Sequence, residues 1–254
     1  NLLEGITGNR VNYSANLLGG VKCDIDQQQA DAIRTGLEYL EERTQHYLDV
    51  VLNDALFLRR TRGIGVMTRE DAERLGVVGP TARASGVARD VRVDAPYAAY
   101  RTLPVQIVTE TAGDLQARFI VRVRELFETY RLIRTLLDTL PEGELTVRMP
   151  RRIPPGETIS RVEAPRGELF YYLKSNGSDQ PERIKIRTPT LPNFASVLVL
   201  AVGRQLADVP MILAGIDPCF SCNDRMIAIH DAQNGDERRW TWEQLRQHGI
   251  EVYR

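Results

Sequence analysis

Cysteine is scarce: Cys23, Cys219 and Cys222 are the only three in 254 residues. That number is too small, and odd, for a disulfide framework, which points to a reducing compartment with the cytoplasm as the default. An excess of charge of either sign is also missing. Thirty-three Lys and Arg stand against 34 Asp and Glu, a formal net charge of -1, so bulk electrostatics give no case for a nucleic-acid partner. Lysine itself is rare, since 30 of the 33 basic residues are Arg; this excess is read as codon usage in a GC-rich genome rather than anion recognition. Long apolar runs are absent. The longest uncharged stretch, Thr188 to Gly203, contains two prolines and falls short of the ~20 residues that a membrane-spanning helix needs. A basic-then-apolar leader is absent as well, and the chain opens at Asn1 inside an amphipathic segment, so a natural N-terminal part is expected to precede it. What is present is 43% apolar and 26% charged. That suffices for a core without disulfides or structural metal, in one large domain or two closely packed ones.

The patterning predicts an α+β protein, predominantly α, with a core of long helices and small β-hairpins. Asp26 stands as an N-cap, and Ala30, Ile33, Leu37, Leu40, Tyr47, Val51 and Leu52 recur at helical spacing, which predicts one helix with one buried stripe to about Leu58. Thr68 with Asp71 starts a short helix that ends near Gly76. From Gly76 to Tyr100, turn residues interleave with Arg83, Arg89, Asp90, Arg92 and Asp94; this reads as a long irregular connection of the kind that tends to be functional. Gly113-Asp114 opens a second long helix through Leu137, with Leu115, Phe119, Val123, Leu126, Phe127, Tyr130, Ile133 and Leu137 on its apolar face. Leu145 to Met149, Thr158 to Glu163, Glu168 to Ser175 and Arg183 to Arg187 are short β-rich runs, and Asn176-Gly177 signals a hairpin. A third helix is predicted from about Phe194 to Ala207, followed by the apolar Val209 to Ile216. Beyond these, Met226 to His230 and Arg239 to Thr241 are placed to pair around Asn234-Gly235, and Trp242 to His248 closes as a helical turn or two.

The sharpest chemical signal is Cys219 with Cys222. Two thiolates at this spacing reach one ion, and soft sulfur selects zinc, nickel, copper or iron-sulfur over calcium or magnesium. The spacing alone leaves three readings open: metal ligation, a redox pair, or buried thiols without function. Cys23, His46, His230 and His248 are the only further Cys or His residues, and none stands at a zinc-ribbon spacing.

The neighbouring segments make the pair more specific. Glu163-Ala164-Pro165-Arg166-Gly167-Glu168, then Arg187-Thr188-Pro189-Thr190 with Asn193, then Asp217-Pro218-Cys219-Phe220-Ser221-Cys222-Asn223-Asp224-Arg225 resemble, in this order, the C-terminal part of nickel-iron hydrogenase large subunits. The likeness is to the energy-converting, complex-I-related branch that includes the formate hydrogenlyase large subunit. It extends upstream through Thr7-Gly8-Asn9-Arg10, Gly19-Gly20-Val21, Gly79-Pro80, Arg83-Ala84-Ser85-Gly86, Pro96-Tyr97 and Gly113-Asp114.

The resemblance implies a membrane-associated complex that interconverts protons and hydrogen at a nickel-iron centre carrying carbon monoxide and cyanide. By residue-to-residue correspondence, Cys219 is implied as a terminal nickel ligand and Cys222 as a bridge between the metals. Arg166 would donate to a cyanide, and Thr190, beside Pro189, to another. An anionic acceptor in a dry pocket needs such donors. The competing reading makes Arg166 an ion-pair partner of Glu163 or Glu168 and Thr190 a cap for the following helix. The family's other two cysteine ligands come from an Arg-x-Cys-Gly-x-Cys segment that does not occur here, and Cys23 is read as structural.

Implied partners are an iron-sulfur small subunit holding the electron-accepting cluster, the membrane subunits of the complex and a maturation peptidase, with the chain peripheral on the cytoplasmic face. The peptidase would cut between Arg225 and Met226. Residues 1–254 are accordingly expected to form one large-subunit domain, with 226–254 as a precursor extension that packs through Arg238, Arg239, Trp240, Trp242, Leu245 and Ile250. An attached extension implies an immature, nickel-free subunit or a homologue that is never clipped. The alternative is a complex-I-like large subunit without nickel that supports electron transfer and quinone or ion-pump coupling. A third reading is a structural module with zinc at the cysteine pair, which leaves Arg166 and Thr190 unexplained.

Overall fold

The computed structural model describes residues 2–11, 13–150, 152–223, 227–230 and 237–252. The chain divides into two compact units, Asn1–Asp217 and Pro218–Arg254. About half of it is helical, with small antiparallel sheets, as the patterning predicts. In chain order the first unit holds α1 (Leu2–Thr7), the strand pair β1 (Asn16–Leu17) and β2 (Gly20–Val21), α2 (Gln27–Asn53), α3 (Ala55–Thr61), α4 (Arg69–Arg74), α5 (Gly79–Arg83), α6 (Val91–Asp94) and α7 (Leu115–Asp138). A three-stranded sheet follows, β3 (Gly156–Ala164), β4 (Gly167–Ser175) and β5 (Pro181–Arg187), and then α8 (Thr190–Ala195), α9 (Val197–Ala201) and α10 (Val209–Gly215). The second unit holds α11 (Phe220–Asn223), the pair β6 (Ile227–His230) and β7 (Glu237–Trp240), and α12 (Trp242–Val252).

Helix α2 starts where the sequence places it. Asp26 accepts from the Gln29 N–H (2.7 Å), and the Gln29 side chain accepts from the Asp26 N–H (3.0 Å), a reciprocal cap. It ends earlier than the expected Leu58, because Asp54 stops it and caps α3 by accepting from the Phe57 N–H at 2.6 Å. The expected stripe is buried at Ala30, Ile33 and Leu37, where α7 supplies Tyr130, Phe127, Ile133 and Leu137, whereas Leu40 and Tyr47 stay exposed.

Helix α7 matches its expected span, and its expected face is buried or half-buried everywhere but at Leu126, yet burial extends beyond that face. Leu126 is exposed, while Ala117, Arg118, Val121, Glu128 and Leu132 are buried, since α2, α3, α5 and α10 all pack on it. A helix surrounded in this way does not carry a single amphipathic stripe. Its N-terminal turn lies in the main core, where Leu115 meets Met67, Leu200, Ile212 and Ile216. Each such side chain contributes about 1.5–3 kcal/mol by leaving water.

Three further expectations are corrected. The 76–100 connection is not irregular throughout: it forms α5, α6 and a 3-10 turn at Ala98–Arg101. Leu145 to Met149 forms no strand and makes only ladder-like bonds to the β1–β2 turn, Val21 N–H to Leu145 O (3.0 Å) and Val147 N–H to Gly19 O (2.9 Å). The predicted helix at 194–207 begins at Thr190 and breaks at Ser196, whose hydroxyl bonds the Asn193 carbonyl at 2.6 Å; a short hydroxyl side chain that competes for backbone acceptors interrupts a helix in this way. The hairpin that follows Asn176-Gly177 pairs β4 with β5 as expected. Strands β6 and β7 also pair, Ile227 opposite Trp240.

Candidate functional site: the Arg166 turn and the cysteine pair

Arg166 lies in the turn between β3 and β4, which are paired through Ala164 opposite Gly167. The turn rests directly on the backbone at the start of α5. A Cβ on Gly79 would lie 2.4 Å from the Arg166 carbonyl oxygen, and one on Gly167 would lie 2.6 Å from the Gly79 nitrogen. Gly79 also has φ +67° and Gly167 φ +122°, so both positions need glycine twice over, for approach and for conformation. Asn193, fully buried in α8, ties the two segments together: its Oδ1 accepts from the Val78 N–H (2.9 Å) and its Nδ2 donates to the Arg166 carbonyl (3.1 Å).

From this fixed base the Arg166 guanidinium reaches Asp217. Nε donates to the Asp217 carbonyl at 2.6 Å, and an Nη to its carboxylate at 3.1 Å. The partner is therefore neither Glu163 nor Glu168. Glu163 is engaged by Arg83 and Glu168 by Arg187. Asp217 has φ +54° and precedes a proline, an uncommon conformation for a residue other than glycine. Thr190 is the first residue of α8 and fully buried, with Pro189 at the cap position and no side-chain cap bond.

Below the turn is a group of buried charges that the sequence did not single out as a site. Arg83 donates to Glu125 (2.6 Å), Glu163 (2.9 Å) and the Arg89 carbonyl (2.9 Å), and stands 3.4 Å from Asp90. Arg92 closes the group with a two-pronged bond to Asp90, at 2.9 and 2.7 Å. Burial works to lower the Arg83 pKa, and the Glu125 and Glu163 carboxylates outweigh it, so the group stands above its ordinary value. Burial likewise works to raise Asp90, but Arg92 and Arg83 hold it below the usual carboxylate range. Glu163 goes the other way: burial pushes it up, Asp90 adds to the shift, and Arg83 only partly opposes it. A cavity of about 390 Å³ adjoins the group, lined among others by Arg83, Arg122, Glu125, Glu163 and Asp217. Burial lowers the Arg122 pKa despite Asp217 and Glu125, and its Nε has no hydrogen-bond partner. In the sequence the cluster shows as the interleaved Arg and Asp residues of 83–94 and as Glu163 in the motif that holds Arg166. The glutamates that Arg83 meets lie 42 and 80 residues further along the chain.

In the second unit, Cys219 and Cys222 lie at and within the four-residue α11. The Cys219 Sγ is 3.1 Å from the Ser221 hydroxyl, and Asn223 Nδ2 donates to the Cys219 carbonyl at 3.0 Å. No disulfide joins the three cysteines, and Cys23 is exposed. The donor set suits half of a thiolate-held metal centre. Among the described residues no group of three or more His, Cys, Asp or Glu side chains gathers to hold a metal ion, so the residues present do not complete one. Arg225 and Met226, where cleavage is expected, lie outside the described residues. In the tail, Trp240 meets the His248 ring edge-on at 4.6 Å. Among the described residues no helix is long and apolar enough to cross a membrane.

The chain is 40% identical over 223 residues to the carbon monoxide-induced hydrogenase of Rhodospirillum rubrum, a match covering 87% of this chain and 62% of that protein. It is 35% identical over 252 residues to a component of the NADH-quinone oxidoreductase of Rhizobium etli, covering 88% and 62% respectively. The fold matches a chain in the structure of the membrane-bound sulfane sulfur reductase, an archaeal respiratory membrane complex, with TM-score 0.82 and 37% identity over 88% of this chain and 63% of that one. The chain thus spans about 62% of the length of these curated relatives. The model of the respiratory-chain NADH dehydrogenase 49 kDa subunit matches residues 1–155 and 145–225, and the chain belongs to that family.

Proposed function

We propose that this chain is the greater part of the large subunit of an energy-converting, complex-I-related nickel-iron hydrogenase, working in an assembled membrane complex on 2H⁺ + 2e⁻ ⇌ H₂. The observation that carries the reading is the segment Asp217 to Cys222. It puts Cys219 just before α11 and Cys222 within it, beginning two residues past the residue that Arg166 holds. Thiolates at this spacing favour soft metals such as nickel and iron. The remaining two ligands would come from residues outside this sequence. Arg166 and Thr190 would then serve as hydrogen-bond donors to the anionic ligands of that centre, which a dry site requires. An iron-sulfur small subunit would carry the electrons, and membrane subunits would anchor the complex. A maturation peptidase cutting after Arg225 belongs to the same reading.

The second reading, a complex-I-like subunit without nickel, is favoured by one observation: the chain is 35% identical to a quinone-reducing relative as well as 40% identical to a hydrogenase. The two are separated by metal analysis and hydrogen evolution of the full-length subunit in its complex. Nickel that co-purifies with the subunit, and hydrogen evolution that depends on it, support the first. A nickel-free complex that reduces a quinone supports the second.

A further inference from the structure

We infer that Asn193 is a positioning residue for Arg166, setting where that guanidinium stands relative to Asp217; the link to turnover rests on the hydrogenase reading above. The Arg166 side chain is anchored at only one end by its own turn. What fixes the turn is a contact between two pieces of backbone, Val78-Gly79 and Arg166-Gly167, too close to admit a Cβ on either glycine. Such a contact excludes side chains but does not by itself hold the two pieces in register. Asn193 does this with one amide, whose oxygen takes the Val78 N–H while its nitrogen gives a proton to the Arg166 carbonyl. Asparagine is the smallest side chain that accepts and donates at once from a planar group. The side chain is fully buried, so water cannot replace either bond. Ser196, at the break after α8, holds Asn193 in turn through its N–H and hydroxyl on the Asn193 carbonyl at 3.1 and 2.6 Å. Thr190, three residues earlier on the same short helix, is buried alongside, so one helix registers both proposed donors.

The chemistry makes the position selective. Aspartate would keep the acceptor for Val78 but set a carboxylate oxygen against the Arg166 carbonyl, pushing the turn away from α8. Alanine would remove both bonds. Neither change touches the Arg166 side chain or the cysteines.

The test uses the full-length subunit in its complex, with Asn193→Asp, Asn193→Ala and Arg166→Lys compared with the unaltered protein by structure determination and by hydrogen evolution. In Asn193→Asp the Arg166 turn should shift and the Nε bond to the Asp217 carbonyl should be lost, with the fold and the Val78 contact kept. Turnover should fall about 100-fold, the scale of a displacement near 1 Å at a reacting site, with no further loss when Arg166→Lys is added. If Arg166 stays within hydrogen-bond distance of the Asp217 carbonyl in both Asn193 variants, the inference is overturned. It is also overturned if the turn moves while turnover in Asn193→Asp equals that of the unaltered complex and Arg166→Lys is impaired. A complex that evolves no hydrogen in any form would instead refute the hydrogenase reading, and the Arg166–Asp217 geometry would still decide the role of Asn193.

Discussion

The Arg166 turn in the first unit and the cysteine pair in the second differ in what surrounds them. The Arg166 turn is fixed by packing: two glycines in van der Waals exclusion, a buried asparagine and a sheet end. Cys222 lies in, and Cys219 just before, a four-residue helix whose Phe220 is 97% exposed, and Ser221 and Asn223 bond about Cys219. The Arg166 turn is thus preorganised by the fold, whereas the thiols stand beside an exposed aromatic side chain. Preorganised hydrogen-bond donors need no rearrangement as charge changes nearby. Ligands of a metal, by contrast, commonly gain their order from the metal itself.

This contrast predicts where changes will be felt. The largest effect is expected from Cys222→Ser in the assembled full-length subunit: metal retention and hydrogen evolution should be lost, since an alcohol is a poor bridging ligand for soft metals, while the melting temperature of the present chain alone should hardly move. A large stability loss in the isolated chain would break the contrast. Arg83→Met should do the reverse. It strands Asp90, Glu125 and Glu163 around a neutral side chain, so denaturant unfolding of the chain should show a loss of about 3–5 kcal/mol. A cost below about 1 kcal/mol would mean that the carboxylates had found water or protons instead.

Arg166→Lys comes third. It keeps the charge but not the planar fork that reaches both the Asp217 carbonyl and its carboxylate. Activity in the complex should drop roughly tenfold or more, with little change in stability because the side chain is partly exposed. Unchanged activity would return Arg166 to a structural ion pair.

The smallest effect is expected from Glu163→Gln, which is read in the pH dependence. The Glu163 carboxyl is raised in the folded chain, so folding takes up a proton there. Its contribution to stability grows as pH falls from the raised value toward the unfolded one near about 4.3, and is constant below that. Asp90 is held low, so its contribution is present above about 3.9 and is lost as pH falls through its folded value. The unaltered chain should therefore gain stability on mild acidification before losing it, and Glu163→Gln should flatten the gain. Identical stability profiles for the two proteins would contradict the raised value.

How legible these features were in the sequence follows from the range of the interactions. Asp26, Thr68 and Asp114 were readable as helix starts because a cap bonds three residues away. Asn176-Gly177 was readable as a hairpin for the same reason. The break at Asp54 was missed because Asp54 serves two helices at once, and the apolar periodicity runs through it. The break at Ser196 was hidden inside an apolar run whose composition suits a continuous helix. The competing reading of Arg166 as an ion pair looks to Glu163 and Glu168, both local, whereas the carboxylate it meets is 51 residues on. The buried faces of α7 could not be read from one stripe, since four other helices share it. In the sequence Arg166, Thr190 and Asn193 stand out only as parts of motifs, because the bonds by which Asn193 joins Arg166 to Val78 span 27 and 115 residues.

The central claim is that the two thiols after Asp217 serve a nickel-iron centre in the complete subunit. It is tested most directly by measuring nickel and hydrogen evolution together in the assembled complex, with and without Cys222→Ser. Nickel in proportion to the subunit and hydrogen evolution are expected in the unaltered complex, with both lost in the variant. Hydrogen evolution and nickel content that survive Cys222→Ser unchanged would contradict it.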